Sequence, residues 1–301
     1  MKIMVFDVGG TEIKYSVMDE QMHRTDSGAV PTPQDTQAQF LDAVYRLYAP
    51  HKDEVSGIAM ALPGFVDNRT GYVSNGGALL YNTATPVGQL LAEKCGCPVI
   101  LENDGKAAAM AELANGALKG CCNAAVFIIG TGVGGGIIAN GQLVRGVHFT
   151  AGEYSFVNTN AEAWDAPDQN MACQCSTSNL LKWYRARKAL PEDAPLDGRS
   201  FFAAANAGEP EALEVLRRFC HAVAVQIFNL TVLLDVEKVA IGGGISKQPL
   251  LLESLRSAYD GLYASRAGQA YMEGLPRCQI VPCAFSSEAN QVGVAAAYFE
   301  A

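Results

Sequence analysis

The sequence predicts an α/β protein made of two related α/β domains, and two features of the chain support this fold class. Residues 3–17 and 124–138 share one pattern, in which an apolar strand, a glycine turn with a threonine and a returning strand follow each other. Residues 99–113 read as a short apolar strand, a turn and a helix rich in strong helix formers. With 301 residues, 49% of them hydrophobic, the chain has material for about two packed cores.

The composition argues against several classes of partner. The formal net charge is −9, whereas proteins that bind nucleic acid usually carry a basic patch, so we expect no nucleic-acid partner. The longest apolar segment, 213–234, contains Arg217, Arg218 and His221, so we expect no membrane span. The N-terminus runs into a strand without a signal peptide, and the nine cysteines are therefore expected to be reduced thiols in the cytoplasm.

The first glycine turn is a candidate phosphate site. Asp7 ends the apolar strand, and Gly9, Gly10 and Thr11 follow it before the chain returns. A structural role alone would explain two glycines, because Gly-Gly is a common hairpin turn. The aspartate and the threonine favour a function, since amides and a hydroxyl bind phosphate and a carboxylate holds the hydration shell of Mg²⁺.

The next segments alternate between helix and strand. Apolar residues recur at helical spacing within 31–50, and an apolar strand then runs to a turn at Pro63 and Gly64. Residues 71–82 are glycine-rich, and we predict an irregular loop there, at the surface or at an active site.

Asn103 and Asp104 lie at the turn of the strand-turn-helix segment. They have a simple explanation, because Asn and Asp are preferred N-caps that satisfy the amides at the start of a helix. The alternative is that Asp104 is a carboxylate at the carboxyl end of a strand, where open α/β sheets bind ligands. The cap predicts a small loss of stability on substitution, whereas the alternative predicts a loss of activity.

The second glycine turn, Gly-Thr-Gly at 130–132, leads into a strand. A dinucleotide fingerprint must open a helix and a P-loop must end in Gly-Lys-Ser/Thr, so neither motif fits. An amphipathic helix is predicted over 209–234, and a short strand then ends in the glycines 242–244, where a base or ribose can approach the backbone. Small residues in 287–299 predict a helix packed closely on the first domain.

Six motifs together resemble the ROK family of sugar kinases and repressors. In chain order they are D-V-G-G-T at 7–11, L-P-G-F-V-D at 62–67, E-N-D at 102–104, I-G-T-G-V-G-G-G at 129–136, A-G-E at 151–153 and I-G-G-G-I at 241–245. They follow the family's order and cover nearly the whole chain, so the set is specific. The resemblance implies an actin/hexokinase-like (ribonuclease H-like) fold, in which two α/β domains with a cleft between them close on ATP and a sugar.

The first domain is expected to end near the glycines at 116 and 120, and the helix predicted over 287–299 is expected to return to it. We place a small N-terminal α/β domain at residues 1–117 plus 288–301 and a large C-terminal α/β domain at residues 118–287.

The resemblance also implies roles for single residues. Asp104 is expected to be the catalytic base and to contact the sugar, together with Gly64, Asn103 and Glu153. The other positions surround ATP and Mg²⁺: Asp7, Gly9, Gly10, Thr11, Gly130, Thr131 and Gly132 at the phosphates, and Gly243 and Gly244 at the adenosine. Asp7 is expected to hold Mg²⁺ through water.

Some residues depart from the family pattern. Members with a structural zinc use one His and three Cys, whereas Phe156 stands at the His position and Leu180 at the third Cys position. Cys173 and Cys175 remain, and two thiolates alone make a poor tetrahedral site, so we expect no zinc. Lys182 stands near a sugar-binding Glu of many members. These changes resemble a zinc-free subgroup that includes β-glucoside kinases and some N-acetylmannosamine kinases.

The predicted function is an ATP-dependent sugar kinase that acts on a primary hydroxyl, O6 of a hexose, an N-acylhexosamine or a β-glucoside. Phosphoryl transfer needs in-line positioning and neutralisation of charge, which glycine turns and Mg²⁺ supply. The alternative is a member of the family that binds or senses a sugar without catalysis. The Asn103-Asp104 motif and both glycine turns argue against it, because the fold alone does not require all three. A DNA-binding repressor would need a helical extension before the first strand, where this chain begins. The resemblance allows a homodimer.

Overall fold

The structure, a computed structural model, describes residues 1–266 and 268–300. These residues form two compact units. Unit 1 consists of Met1–Gly116, Leu143–Ala151 and the chain from Ser287 onward, and unit 2 consists of Ala117–Gln142 and Gly152–Ser286.

The domain ranges 1–117 plus 288–301 and 118–287 stay a prediction. The units depart from them mainly in the segment Leu143–Ala151, which groups with unit 1. Ala267 and Ala301, which the predicted ranges include, lie outside the described residues.

The strands and helices of the described residues follow in chain order. The strands are β1 (Lys2–Val8), β2 (Glu12–Asp19), β3 (Arg24–Pro31), β4 (Ile58–Leu62), β5 (Phe65–Asp67), β6 (Tyr72–Asn75), β7 (Val99–Asn103), β8 (Ala124–Ile129), β9 (Val133–Ala139), β10 (Gln142–Val144), β11 (Lys238–Gly242) and β12 (Gln279–Pro282). The α-helices are α1 (Gln37–Tyr48), α2 (Val87–Cys95), α3 (Asp104–Asn115), α4 (Met171–Cys175), α5 (Thr177–Arg187), α6 (Gly198–Asn206), α7 (Pro210–Leu234), α8 (Pro249–Ala264) and α9 (Ala289–Glu300).

Two five-stranded sheets share one pattern of strand directions. The first has the order β3-β2-β1-β4-β7, with β1 antiparallel to β2 and parallel to β4. The second has the order β10-β9-β8-β11-β12, with β8 antiparallel to β9 and parallel to β11. Each sheet therefore extends an antiparallel hairpin with parallel strands, and the repeat that the sequence predicts is confirmed.

The central strands are buried, as expected for strands that helices cover on both faces. Every residue of β4 is buried, and so are five of the six residues of β8. One hydrophobic cluster includes Phe6, Phe40 and Leu101, and a second includes Phe127 and Phe219. None of the described helices, α7 included, combines the length and the apolar character that a membrane crossing requires.

The last helix, α9, packs closely on α3 within unit 1. A Cβ atom at Gly293 would lie 1.7 Å from the carbonyl oxygen of Ala107 and 3.1 Å from the amide nitrogen of Ala111. The two helix backbones therefore approach each other at a position that only glycine fits, as the small residues of 287–299 predict.

Two parts of unit 1 differ from the sequence prediction. Residues 71–82 are predicted to be irregular, but Tyr72–Asn75 forms β6, which pairs with β5. The sequence R-T-D-S-G-A-V-P shows no strand pattern, and yet it forms β3 at the edge of the first sheet. Most of β3 is exposed, so no apolar alternation marks it, and backbone pairing with β2 determines its position.

Candidate active site

The predicted site residues of unit 1 lie at the carboxyl edge of its sheet. Asp7 is the partner of Ala61 across β1 and β4, and Ala61 is the partner of Glu102 across β4 and β7. Since neighbouring strands lie about 4.8 Å apart, the backbones of Asp7 and Glu102 are separated by about 10 Å. Asn103 and Asp104 follow Glu102 directly, so this edge holds both the first glycine turn and the Asn-Asp motif.

Asn103 is the N-cap of α3. Its Oδ1 accepts a hydrogen bond from the backbone N–H of Lys106 at 3.0 Å. Its Nδ2 donates to the carbonyl oxygen of Gly64 at 3.0 Å. The cap explanation is therefore right for Asn103, whereas Asp104 occupies the first helical position. Gly64, Asn103 and Asp104, three residues predicted for the sugar site, are brought together.

Asp104 is partly exposed at the positive end of α3. Its Oδ1 accepts from the backbone N–H of Gly105 at 2.7 Å, which holds the carboxylate near the helix terminus. The helix dipole favours a negative charge there by about 0.3–1 kcal/mol. This arrangement provides an oriented, accessible proton acceptor at the end of a strand.

A buried ion pair supports the Asn-Asp motif, and sequence reasoning misses it. Glu102 is 1% exposed, and its Oε2 accepts from Nε of Arg145 at 2.8 Å. Its Oε1 accepts from the backbone N–H of Asn103 at 3.0 Å. Arg145 lies 43 residues further along the chain, so no local pattern marks the pair. The contact explains why the segment Leu143–Ala151 belongs to unit 1.

We expect Arg145→Met to lower the free energy of unfolding by about 3 kcal/mol, because it leaves the buried carboxylate of Glu102 without its cation. Urea denaturation measures the loss. Arg187→Met is the matched control: its Nε lies at the same 2.8 Å from Oε2 of Glu214, but both side chains are about half exposed. An exposed pair contributes about 0–1 kcal/mol, so equal losses in the two variants would contradict the prediction.

Asp7, at the end of β1, is held by the last helix. Nδ2 of Asn290 donates to Oδ1 of Asp7 at 2.8 Å. Burial raises the pKa of Asp7 above its ordinary value, and the hydrogen bond from Asn290 and the charge of Lys14 offset part of the rise. A desolvated carboxylate is stabilised by a nearby cation, so the donor at this position fits Mg²⁺. The residues around Asn290 in the sequence form no motif that would indicate its contact with Asp7.

The first glycine turn is held by Thr32 and Gln34, which lie just after the end of β3. Oγ1 of Thr32 donates to the carbonyl oxygen of Gly9 at 2.7 Å. Nε2 of Gln34 donates to the carbonyl oxygen of Gly10 at 2.7 Å, and the carbonyl oxygen of Thr11 accepts from the backbone N–H of Thr32 at 2.9 Å. The turn therefore has a defined backbone conformation at the carboxyl end of β1.

In unit 2, the second glycine turn lies beside Gly243. Gly242 and Ile128 are partners on the parallel strands β11 and β8, so the residues that follow them share one sheet edge. Gly243 has a φ of +96°, and a Cβ atom there would lie 2.1 Å from the carbonyl oxygen of Ile129. The structure thus brings Gly243 to the backbone that precedes Gly130, whereas a Cβ atom at Gly244 would meet nothing within 4 Å.

The predicted sugar ligand Glu153 is also placed near the second turn. Ser155, two residues later, accepts with its Oγ from the backbone N–H of Val133 at 3.0 Å. A Cβ atom at Gly132 would lie 3.0 Å from the same Oγ. Ser155 therefore holds the segment of Glu153 next to the turn at 130–132. No pattern in the sequence indicates this hydrogen bond.

The remaining cysteines of the zinc pattern, Cys173 and Cys175, both lie in the short helix α4. Cys175 is buried, and burial raises the pKa of its thiol to about 12. A metal ligand must be a thiolate, which burial disfavours. Across residues 1–266 and 268–300, no three His, Cys, Asp or Glu side chains are grouped to hold a metal ion. The absence of zinc from the protein stays a prediction.

Comparisons with known proteins point in the same direction as the motifs. Residues 3–300 match the ROK family. A β-glucoside kinase from Listeria innocua is 30% identical over 258 residues, which cover 85% of this chain and 87% of that protein. A ROK family protein from Streptococcus pneumoniae, solved in complex with sucrose, has a TM-score of 0.87 at 28% identity and covers 100% of this chain and 98% of its own. A ROK family glucokinase from Streptomyces griseus, solved with glucose and AMPPNP, has a TM-score of 0.81 at 25% identity and covers 100% of both chains.

Proposed function

This chain belongs to the ROK family and is a carbohydrate kinase, and we propose that it transfers the γ-phosphoryl group of ATP to a primary hydroxyl of its sugar. The predicted actin/hexokinase-like fold is confirmed. The proposed acceptor is O6 of a hexose, an N-acylhexosamine or a β-glucoside, and the β-glucoside kinase relative favours the last of these. The AMPPNP complex of the glucokinase from Streptomyces griseus supports ATP as the donor.

The main observation that supports this proposal is the position of Asp104. It is a partly exposed carboxylate at the carboxyl edge of a sheet, oriented by the amide of Gly105 and adjacent to the fixed side chain of Asn103. The Asn103 side chain already caps the start of α3, so the helix does not need a second polar residue there. A positioned base is the explanation that fits both residues.

In the proposed reaction, Asp104 accepts the proton of the sugar hydroxyl while the hydroxyl oxygen bonds to the γ-phosphorus. The bond between the γ-phosphorus and the bridging oxygen breaks, and ADP leaves with that electron pair. General base catalysis of this kind contributes about 10²–10⁴ to the rate. Gly64, Asn103 and Glu153 are proposed to contact sugar hydroxyls, which orients the acceptor for in-line attack.

The glycine turns are proposed to hold the nucleotide. Backbone amides of the turns at 9–11 and 130–132 would bind phosphate oxygens. Gly243, which lies against the backbone of Ile129, and Gly244, which has open space beside it, would receive the adenosine. Asp7 would hold Mg²⁺ through water, and its desolvated carboxylate suits that role. When bound, Mg²⁺ neutralises charge on the phosphoryl group that is transferred.

The test is ADP release from Mg-ATP in the presence of glucose, mannose, N-acetylmannosamine, N-acetylglucosamine, fructose, cellobiose or gentiobiose. We expect turnover on one class of sugar, with ³¹P and ¹H NMR locating the new phosphate on O6. Preparations of the Asp104→Asn variant control for contaminating kinases. A folded protein that binds a sugar but releases no ADP with any acceptor would favour the sensor alternative and contradict the proposal.

A further inference from the structure

The segment Leu143–Ala151 belongs to unit 1, although the chain on either side of it belongs to unit 2. One end of the segment is anchored by the ion pair between Arg145 and Glu102, beside the Asn-Asp motif. The carbonyl oxygen of Arg145 accepts from the backbone N–H of Ala151 at 3.2 Å, so residues 145–151 close into a loop. The motifs assign no role to residues 143–150.

Phe149 forms the second anchor of this loop. The guanidinium carbon of Arg69 lies 5.0 Å from the centroid of the Phe149 ring, within the range of a cation–π contact. Arg69 follows β5 closely, and its backbone N–H donates to Oδ1 of Asp67, the last residue of that strand, at 3.0 Å. Since β5 begins directly after Gly64, the loop holds the hairpin of β5 and β6 that Gly64 leads into.

The backbone of Phe149 indicates that its ring has a role. Its φ is +59°, in the left-handed region that is an outlier for a bulky residue. Phe149 is the only aromatic residue among the described non-glycine residues with a positive φ. Such a conformation costs free energy and persists where surrounding contacts hold it. Glycine would avoid this cost, so the contact with Arg69 is what a side chain supplies at this position.

The two anchors join the two elements that carry proposed sugar contacts of unit 1. One anchor holds the end of β7, the strand that Asn103 completes. The other holds the hairpin that begins after Gly64. Asn103 and Gly64 are also joined directly, by the hydrogen bond of 3.0 Å from Nδ2 to the carbonyl oxygen. The contacts therefore form a closed path from Asn103 through Gly64, the hairpin and the loop back to Glu102.

From this closed path we propose that Phe149 is a positioning residue for the acceptor sugar. By holding the loop on Arg69, its ring fixes the hairpin of Gly64 relative to Asn103. The same loop leads to Glu153 two residues beyond its end. The inference rests on the proposed function, which makes Gly64, Asn103 and Glu153 sugar contacts. It predicts an effect on sugar affinity without an equal effect on nucleotide affinity.

The experiment is isothermal titration calorimetry with glucose, N-acetylglucosamine and cellobiose as sugar probes and ADP as the nucleotide probe. Arg69→Met is expected to weaken sugar binding by about twofold to fivefold, the factor that corresponds to an exposed cation–π contact. Phe149→Gly is expected to weaken it at least as much, with a melting temperature close to that of the unaltered protein because glycine relieves the backbone strain. Phe149→Tyr keeps the ring and is expected to retain the affinity. ADP affinity is expected to be unchanged in all three variants.

A double-mutant cycle tests whether the two side chains act through each other. Arg69→Met is expected to change sugar affinity little when Phe149→Gly is already present, because the contact is then absent. Losses that add in the double variant would overturn the inference, and so would a Phe149→Gly protein that binds the sugars as the unaltered protein does. A weakening of ADP equal to that of the sugars would show a general structural defect and would overturn it as well.

Arg277→Met is the matched control. The guanidinium carbon of Arg277 lies 4.4 Å from the centroid of the Tyr263 ring, and Nη1 lies 2.8 Å from Oδ1 of Asp260, so this arginine of unit 2 also stacks on a ring and pairs with an aspartate. We expect its sugar affinity to be unchanged.

Hydrogen exchange of the ligand-free proteins tests the loop without any sugar. Phe149→Gly is expected to speed exchange in the hairpin of β5 and β6, and unchanged exchange there would contradict the inference. A protein whose sugar binding depends on Phe149 but that releases no ADP would contradict only the proposed kinase reaction.

Discussion

Asp104→Asn is expected to lower kcat by about 10²–10⁴ while the protein stays folded, because the amide accepts no proton from the attacking hydroxyl. The substitution preserves the shape of the side chain and its hydrogen bond from Gly105, and the Asn103 cap is untouched. We therefore expect the melting temperature and the sugar affinity to remain close to those of the unaltered protein. Steady-state kinetics with the preferred sugar measure the loss.

Asp197→Asn is the matched control for this variant. Asp197 caps α6 by accepting from the backbone N–H of Ser200, so it is an aspartate at a helix start outside the proposed site. Asparagine is an equally good N-cap, and we expect normal kinetics. An Asp104→Asn protein with activity within a few-fold of the unaltered enzyme would remove Asp104 from the role of base.

Gly293→Ala is expected to lower the free energy of unfolding by about 3 kcal/mol, at the upper end of the cost of overpacking. The new methyl group would lie 1.7 Å from the carbonyl oxygen of Ala107, and backbone cannot move aside as a flexible side chain does. α3 and α9 would have to separate. Because α3 begins with Asp104 and α9 supplies Asn290 to Asp7, activity is expected to fall as well.

Gly261→Ala tests the same substitution where there is room for it. Gly261 is an exposed position of α8, and a Cβ atom there meets nothing within 4 Å. Alanine in a helix interior is more stable than glycine by about 0.5–1 kcal/mol, so this variant is expected to gain stability. Urea denaturation of both proteins measures the difference. A Gly293→Ala protein as stable as the unaltered one would show that the two helices are not in close contact.

Local pattern was sufficient for much of the fold. The apolar runs of β1 and β8, the stripe of α7 and the glycine turns all appear in short windows of sequence, and the structure contains each of them. β3 could not be predicted from a local pattern, since an exposed edge strand needs no apolar face and depends on backbone pairing with β2. Residues 72–75 form a strand for a similar reason, through pairing with β5.

In the candidate site, too, some features follow from the sequence and others only from the tertiary structure. Sequence alone determined the chemical groups: Asp7 and its glycine turn, Asn103 with Asp104, and the turn at 130–132 are recognisable because each is contiguous in the chain. Only the tertiary structure shows which other residues hold these groups in place. Arg145 reaches Glu102 and Asn290 reaches Asp7 across large separations in sequence. The physical reason is that a turn or a cap is a local interaction, whereas burial, ion pairing and cavity lining depend on which distant residues the folded chain brings together.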